Sequence, residues 1–274
     1  MEDKIIIFTD LDGTLIDHHT YSHHDAEEAL AEVKKQKASL VLCSSKTKEE
    51  IEVYRKRLSN SEPFVVENGG AIFIPKEYKL LTDRFDHEDN DYFIIKIGTE
   101  YQKLVDVFEK IRRKTGVDTK GINEFTLEEF IQITKLHKEE AVLAMKREYT
   151  LPFVVHGGVE EVKAIKDEIA LSGLNFTEGA KFMYLMGSND KGKAVRILVD
   201  IFKRNYREGK ITTVGIGDSL NDLPMLEAVE KPFLVKKISN DYDGRIRVKN
   251  LVLADGIGPV GWNKAVLRLF KKKG

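Results

Sequence analysis

Two acidic residues near the start of the chain are spaced so that they could act together in catalysis or in binding a cation. In "DLDGT", Asp10 and Asp12 follow the apolar run of residues 5–8, with Thr9 between the run and Asp10. Burying two carboxylates is costly unless a cation or a shared proton compensates their charge. A divalent cation that prefers oxygen ligands, such as Mg²⁺, meets that need. The ordinary alternative is an Asx-type turn in which Gly13 supplies a permissive backbone conformation.

A second acidic pair occurs in "GDSLND" at 217–222, where Asp218 and Asp222 follow an apolar strand predicted over 211–216. Helix capping by Asp218 or Ser219 explains either carboxylate alone. Capping does not explain two acidic clusters at two strand ends. Because ligands of open α/β sheets bind at the carboxyl ends of the strands, we predict that both clusters share one site.

A lysine and a serine have positions that fit a phosphate. Lys191 begins a helix predicted near 190–207, where its charge opposes the helix dipole and requires a negative partner. Ser44 ends the apolar run of 40–43 and could donate a hydrogen bond to a phosphate oxygen. The ordinary alternatives are a solvated first-turn lysine and a turn or capping hydroxyl.

The predicted elements place these residues at one edge of a parallel sheet. Apolar strands rich in Ile and Val alternate with helical patterns at both ends of the chain, and such strands indicate a parallel sheet covered on both faces. We predict a doubly wound α/β core. Its predicted strands cover 4–9, 40–43, 211–217 and 232–235, and its helices lie near 24–36, 47–58, 190–207 and 220–229.

The middle of the chain has a mixed pattern that indicates an α+β insertion. A strand over 91–98 precedes several helical stretches and short strands. The charged run "DRFDHEDND" at 83–91 is a predicted hinge into this segment. We therefore predict a core domain of 1–83 and 187–274 and an inserted domain of 84–186.

The balance of basic and acidic residues limits the classes of partner that the protein is expected to bind. The 274 residues include 44 Lys and Arg and 45 Asp and Glu, without a basic stripe for nucleic acid or an anionic membrane, so a small-molecule partner is expected. Cys43 is the single cysteine, which excludes an intrachain disulfide and favours a reducing interior. No window approaches 18 apolar residues. We predict a cytoplasmic protein without a membrane span; the oligomeric state is left open.

Taken together, these residues resemble the four motifs of the haloacid dehalogenase (HAD) superfamily of phosphotransferases. The motifs match in order Asp10–Thr14, Ser44, Lys191 and Gly217–Asp222. The insertion between the second and third motifs has the position of an α/β C2-type cap. The resemblance implies a Rossmann-like HAD core with an inserted α+β cap.

The resemblance also implies catalytic roles. Asp10 would be the nucleophile that becomes an aspartyl-phosphate, and Asp12 the general acid for the leaving alcohol and then the base for water. Ser44 and Lys191 would hold the transferring phosphoryl oxygens.

A Mg²⁺ site is implied at the same strand ends. Its ligands would be the Asp10 carboxylate, the Asp12 backbone carbonyl and the Asp218 carboxylate, with Asp222 or Asn221 supporting the water shell. Asn221 is also a candidate substrate-binding residue.

Finer features point to a substrate class. "SSKT" at 44–47 departs from the Thr-Gly-Arg of related phosphatases and is similar to the form in mannosyl-3-phosphoglycerate phosphatases, as are four longer segments: 65–75, 141–153, 180–195 and 258–266. That family implies a Mg²⁺-dependent phosphoric monoester hydrolase that releases mannosylglycerate, a compatible solute. The alternatives are a phosphatase for glucosyl-3-phosphoglycerate or another sugar phosphate, a sugar phosphomutase, and a catalytically silent binding protein.

A sugar-glycerate substrate requires cations and hydrogen-bonding groups. Lys46, Arg147 and Lys181 are candidates for its carboxylate, and Glu67 and Asn68 for polar contacts near the seam between core and cap. Lys181 stands where that family is expected to carry arginine, so bidentate recognition would be lost. The ordinary alternative for each is a solvated or ion-paired surface residue.

Overall fold

The structure is a computed structural model, and it describes residues 3–78, 80, 82, 84–179, 181–206 and 209–271. The strands in chain order are β1 (Lys4–Thr9), β2 (Ser39–Cys43), β3 (Phe64–Val66), β4 (Ala71–Pro75), β5 (His87–Glu88), β6 (Tyr92–Lys96), β7 (Thr119–Gly121), β8 (Thr150–Val155), β9 (Asn175–Glu178), β10 (Met183–Met186), β11 (Ile211–Gly217), β12 (Lys231–Lys236) and β13 (Val252–Ile257). The α-helices are α1 (Glu27–Lys35), α2 (Lys48–Leu58), α3 (Tyr101–Thr115), α4 (Leu127–Thr134), α5 (Lys138–Ala144), α6 (Val159–Leu171), α7 (Lys191–Asn205), α8 (Leu223–Glu227) and α9 (Gly258–Phe270).

The larger sheet has the order β13-β12-β11-β1-β2-β3-β4-β6-β5. From β13 to β3 all neighbours are parallel, and the last three strands extend the sheet in antiparallel fashion. The carboxyl ends of β1, β2 and β11 therefore meet at one edge. This arrangement confirms the predicted α/β core.

Helices cover both faces of this sheet because its central strands are apolar on both sides. Ile7 packs in a core with residues of α1, α2 and α9, including the fully buried Trp262. Ile6 and Phe8 point the other way, into a core with α7 and with Met225 of α8. The alternation follows from the two-residue period of a strand, and it makes the sheet doubly wound.

The inserted segment has its own sheet and core. Its antiparallel strands have the order β7-β8-β10-β9, and α3 and α6 pack together beside them. Phe108, Phe153, Ile165 and Phe182 are among the residues of its separate apolar cluster. The predicted α+β character of the insertion is therefore confirmed.

The predicted start of the insertion at residue 84 is wrong. β5 and β6 lie after that position, yet β6 pairs with β4 and β5 pairs with β6 in the larger sheet. The Tyr92 ring contacts the core rings of Phe64 and Phe73 edge-on. Apolar alternation identifies a strand but not its partner, so the sequence did not show that this strand belongs to the core. Asp83, the first residue of the predicted hinge, lies outside the described residues.

None of the helices in the described ranges has the length and apolar character that spanning a membrane requires.

Candidate active site

The two acidic clusters of the sequence meet at the expected sheet edge. β1 and β11 run in parallel register, and the backbone N–H of Asp10 continues the ladder by donating to Ile216 O at 3.0 Å. The chain then leaves β11 at Asp218. Carboxylate oxygens of Asp10, Asp218 and Asp222 all lie within 4.8 Å of one another. One acidic site therefore forms from two segments more than two hundred residues apart.

Lys191 supplies positive charge to this cluster from the first turn of α7. Its side chain is fully buried, with Nζ 2.6 Å from Asp10 Oδ1 and 2.7 Å from Asp222 Oδ1. The negative partner that its position requires is thus present within the protein as two carboxylates.

Asp222 holds the turn after β11. Its second oxygen, Oδ2, accepts hydrogen bonds from the backbone N–H groups of Asp218 at 3.0 Å and Ser219 at 3.2 Å. Both oxygens of Asp222 are therefore engaged by the protein. Asp218 accepts through Oδ1 from the hydroxyls of Ser219 at 3.0 Å and Thr14 at 3.4 Å. Asp10 and Asp218 are consequently better placed than Asp222 to bind a cation directly.

The cluster has more negative than positive charge. Burial raises the pKa of Asp10 to about 7, with contributions from the charges of Asp222 and Asp12 and against the pull of Lys191. Burial also raises the pKa of Asp218 well above its usual range, and Asp222 adds to the effect. Carboxylate oxygens held close together in this way fit a hard divalent cation such as Mg²⁺.

The loop after β1 crosses close to Asp218. Gly13 has φ +74°, and a Cβ at this position would lie 3.2 Å from Asp218 Oδ2. Gly13 therefore allows the loop to adopt a left-handed conformation beside the carboxylate. Behind the loop, Trp262 Nε1 donates to Thr9 Oγ1 at 3.0 Å, and that hydroxyl donates to the Asp10 carbonyl at 2.8 Å.

Asp12 lies beside the acidic cluster but its carboxylate is not part of it. Asp12 Oδ2 is 3.0 Å from Lys46 Nζ. Oδ1 is buried and has no hydrogen-bond partner among the described residues. The predicted metal contact through the Asp12 backbone carbonyl stays a prediction.

Ser44 lies at the expected sheet edge but is fully buried. Its Oγ accepts a hydrogen bond from the backbone N–H of Lys46 at 3.3 Å, and its carbonyl accepts from Asn68 N at 3.0 Å. Ser44 is absent from the described residues that line the adjoining cleft, so its contact with a phosphate stays a prediction.

A cleft of about 440 Å³ opens between this sheet edge and the insertion. Residues of both parts line it: Asp10, Asp12, Lys46, Asn68, Asp218 and Asn221 from the core, and Arg147, Lys181, Phe182 and Tyr184 from the insertion. Eight of the twelve site residues predicted from the sequence therefore line one cleft, and the other four, Ser44, Glu67, Lys191 and Asp222, are buried around it.

The three candidate cations differ in their partners. Lys46 and Arg147 both lie near Glu50, at 3.4 Å and 3.8 Å respectively. Lys181 donates to the Thr134 carbonyl, and in the described part of the chain it has no carboxylate within 4.0 Å. Burial and the neighbouring Lys135 lower the pKa of Lys181. A substrate anion would therefore find its least compensated cation at Lys181.

The prediction that Glu67 contacts the substrate is not supported by its surroundings. Its buried carboxylate accepts hydrogen bonds from the backbone N–H groups of Glu148 at 2.8 Å, Tyr149 at 3.1 Å and Thr150 at 2.8 Å, and from the Thr150 hydroxyl at 2.6 Å. Glu67 does not line the cleft. It fastens the start of β8 to the turn after β3, and sequence alone gave no sign of partners so distant along the chain.

Asn68 and Asn221 lie together in the cleft wall. Asn221 Nδ2 donates to Asn68 Oδ1 at 3.2 Å. Asn68 Nδ2 is buried without a hydrogen-bond partner in the described structure. The next residue, Gly69, has φ +87°, and a Cβ there would lie 2.1 Å from the Asp190 carbonyl oxygen, so the turn packs directly against the start of α7.

Sequence reasoning missed the surroundings of Lys46. Glu50, Tyr21 and Tyr54 all contact its ammonium group. The spacing of four residues between Lys46 and Glu50 was a visible signal for an ion pair on a helix start.

Comparisons with known proteins agree with this geometry. A family model described as haloacid dehalogenase-like hydrolase matches residues 7–241. A protein of Methanococcoides burtonii named glucosyl-3-phosphoglycerate/mannosyl-3-phosphoglycerate phosphatase is 45% identical over 269 residues, covering 98% of each chain. A Pyrococcus horikoshii mannosyl-3-phosphoglycerate phosphatase is 37% identical over 86% of this chain and 92% of its own. The crystal structure of a haloacid dehalogenase-like hydrolase from Bacteroides thetaiotaomicron has a TM-score of 0.65 at 18% identity, covering 98% of this chain and 100% of that chain, which is a likeness of fold.

Proposed function

Because the chain belongs to the haloacid dehalogenase-like hydrolases, we propose that it is a phosphatase that hydrolyses mannosyl-3-phosphoglycerate and glucosyl-3-phosphoglycerate. The observation that carries the proposal is the position of Asp10, which lines the cleft while Lys191 holds its carboxylate from behind at 2.6 Å. A buried, oriented carboxylate at the base of a cleft is suited to attack phosphorus.

The proposed reaction has two steps. Asp10 attacks phosphorus to form an aspartyl-phosphate, the bond from phosphorus to the glycerate oxygen breaks, and Asp12 gives that oxygen a proton. Asp12 then takes a proton from water, which attacks the aspartyl-phosphate and releases inorganic phosphate with Asp10 restored. Lys191 compensates negative charge at Asp10 throughout, and Asp222 holds both Lys191 and the turn that carries Asp218.

Asp10 and Asp218 are the residues that we propose to hold Mg²⁺, since their carboxylates are close together and short of positive charge. When bound, the ion neutralises charge on the nucleophile and on the phosphate.

The choice of substrate rests on the cleft and on the relatives. Lys181 offers a cation for the glycerate carboxylate, and Asn68 and Asn221 offer amides for hydroxyl groups. Relatives named for both glucosyl and mannosyl substrates are 45% and 42% identical, and those named for the mannosyl substrate alone are 37% and 31% identical. Because the relatives named for both sugars are more similar to this chain than those named for the mannosyl substrate alone, we favour a site that accepts both sugars.

Steady-state phosphate release with Mg²⁺ tests the proposal. The panel contains the two glycosyl-3-phosphoglycerates, 3-phosphoglycerate and simple hexose phosphates. We expect kcat/KM to be at least about tenfold higher for the glycosyl-3-phosphoglycerates. A preference of that size for hexose phosphates would overturn the assignment. Phosphorus NMR separates a phosphatase from a phosphomutase, because only the former accumulates inorganic phosphate.

Lys181→Met tests the carboxylate contact. The variant should raise KM for both glycosyl-3-phosphoglycerates by about tenfold and leave hydrolysis of 4-nitrophenyl phosphate unchanged. Lys135→Met, which removes a neighbouring cation of the insertion, is the matched control. Equal effects of the two changes would argue against Lys181 as the carboxylate ligand.

A further inference from the structure

We infer that Lys46 is a positioning residue that fixes Asp12 for proton transfer, and that Arg147 of the insertion supports it through Glu50. The inference rests on the proposed function, in which Asp12 is the general acid. It differs from the sequence prediction, in which Lys46 and Arg147 bind the substrate carboxylate.

The ammonium group of Lys46 is enclosed on several sides. Nζ lies 3.0 Å from Asp12 Oδ2 and 3.4 Å from Glu50 Oε1. The rings of Tyr21 and Tyr54 lie beneath it, with centroids at 5.3 Å and 5.4 Å. Two carboxylates and two aromatic faces balance the charge of a side chain that is only 9% exposed. Because these groups already compensate its charge, Lys46 is poorly suited to bind a substrate anion.

The ion pair with Lys46 gives the two carboxylate oxygens of Asp12 different surroundings. Oδ2 faces Lys46, whereas Oδ1 is buried without a hydrogen-bond partner in the described structure, on a residue that lines the cleft. A buried carboxylate oxygen without a partner is costly, and Oδ1 is the oxygen of Asp12 that no described side chain holds. We therefore assign proton transfer with the leaving oxygen of the phosphate ester to Oδ1. Pinning Oδ2 stops the carboxylate from rotating away from it.

The insertion contacts both sides of the short segment that carries Lys46. Arg147 Nη1 donates to the Ser45 carbonyl at 2.7 Å, and Nη2 lies 3.8 Å from Glu50 Oε2. Thr47 Oγ1 donates to the Leu143 carbonyl at 3.0 Å. The insertion must therefore be seated on the core for the segment to keep these contacts. A chain of charges thus runs from Arg147 through Glu50 and Lys46 to Asp12.

The leaving group of the substrate is the sharpest probe of this inference. Nitrophenolate departs with little need of a proton, whereas an alkyl oxygen requires one. Lys46→Met is therefore assayed with three esters: a glycosyl-3-phosphoglycerate, glycerol 3-phosphate, which has an alkyl leaving group and no carboxylate, and 4-nitrophenyl phosphate.

We expect Lys46→Met to lower kcat/KM by about a hundredfold for both alkyl esters and by less than about tenfold for 4-nitrophenyl phosphate. Because Asp12 also activates water, stopped-flow measurement with the latter should show a burst of nitrophenolate before slow turnover. Lys46→Arg, which keeps the charge, should recover part of the alkyl-ester activity. Loss confined to the carboxylate-bearing ester would make Lys46 a substrate ligand and overturn the inference, as would equal loss with all three esters.

Lys48→Met is the matched control. Lys48 lies two residues further on, pairs with Glu52 at 3.6 Å and Asp89 at 3.8 Å, and also lies over aromatic rings, but it does not line the cleft. Its kcat/KM values should stay within about twofold of the wild type for every ester. Comparable leaving-group selectivity in this variant would overturn the role of Lys46.

Arg147→Met tests the link to the insertion. The same selectivity against alkyl esters is expected in weaker form, whereas a rise in KM for the carboxylate-bearing ester alone would contradict the link.

Failure of the inference is distinct from failure of the proposed function. In the first case the wild type hydrolyses the esters but the variants show no selectivity, and in the second the wild type hydrolyses none of them.

Discussion

The buried ammonium group of Lys191 lies 2.7 Å from the buried carboxylate of Asp222, 31 residues further along the chain. The same ammonium group also binds Asp10, and Asp222 also binds the turn after β11. One ion pair therefore connects the nucleophile candidate, the first turn of α7 and the turn that carries Asp218. Its removal should affect both stability and activity.

Lys191→Met leaves two buried carboxylates without their cation. We expect the free energy of unfolding to fall by about 3 to 5 kcal/mol and phosphatase activity to disappear. Urea denaturation measures the first effect. In the double variant with Asp222→Asn one uncompensated charge is gone, so the double variant should unfold at higher urea than Lys191→Met alone. Strictly additive losses would argue against a direct pair.

Asp10→Asn should abolish turnover because an amide cannot form the aspartyl-phosphate. Folding should remain nearly intact, since the amide is close in size to the carboxylate. Activity assays and circular dichroism check the two parts of the prediction. Retained activity would refute the nucleophile assignment.

The pKa of Asp10 gives a pH dependence for metal-free protein. Burial raises this pKa from 3.8 to about 7, so between these values the folded state holds a proton that the unfolded chain has released. Stability conferred by this group is therefore present at low pH and declines as pH rises through that interval. In EDTA, Asp10→Asn should gain stability relative to the wild type as pH rises from about 5 to about 7.5. A flat difference would contradict the raised pKa.

Glu67→Gln should loosen the seam between the core and the insertion. The amide has one acceptor oxygen for four donors, so we expect a loss of about 2 to 3 kcal/mol and faster hydrogen exchange at the backbone amides of Glu148 and Thr150. Glu52→Gln, at a more exposed pair with Lys48, is the control and should change neither quantity. Unchanged exchange at the seam would show that Glu67 does not hold it.

Thr9→Val removes the hydroxyl that accepts from Trp262 Nε1 at 3.0 Å. The indole N–H is then buried without its partner, which should cost about 1 to 3 kcal/mol. Trp262 is the single tryptophan, so its fluorescence reports urea unfolding directly. Thr9→Ser keeps the hydroxyl and should lose less stability; an equal loss would assign the effect to packing instead.

The parallel core sheet and the shared position of the site's charged residues could be predicted from the sequence. Apolar strands fix the parallel core through local periodicity, and polar residues directly after β1 and β11 must then emerge at one edge. For this reason the meeting of Asp10, Asp218 and Lys191 could be predicted from residues that stand far apart in the chain.

Packing between distant segments decides which polar groups line the cleft and which bond to one another, and this could not be predicted from the sequence. Glu67 bonds to residues 81 to 83 positions away, Lys46 pairs with Asp12 and Glu50, and β6 joins the core sheet instead of the insertion. Periodicity describes how one segment exposes its own side chains, whereas these contacts depend on how separate segments pack. The sequence alone does not show whether the partner of a charged side chain is a substrate or a buried residue of the protein.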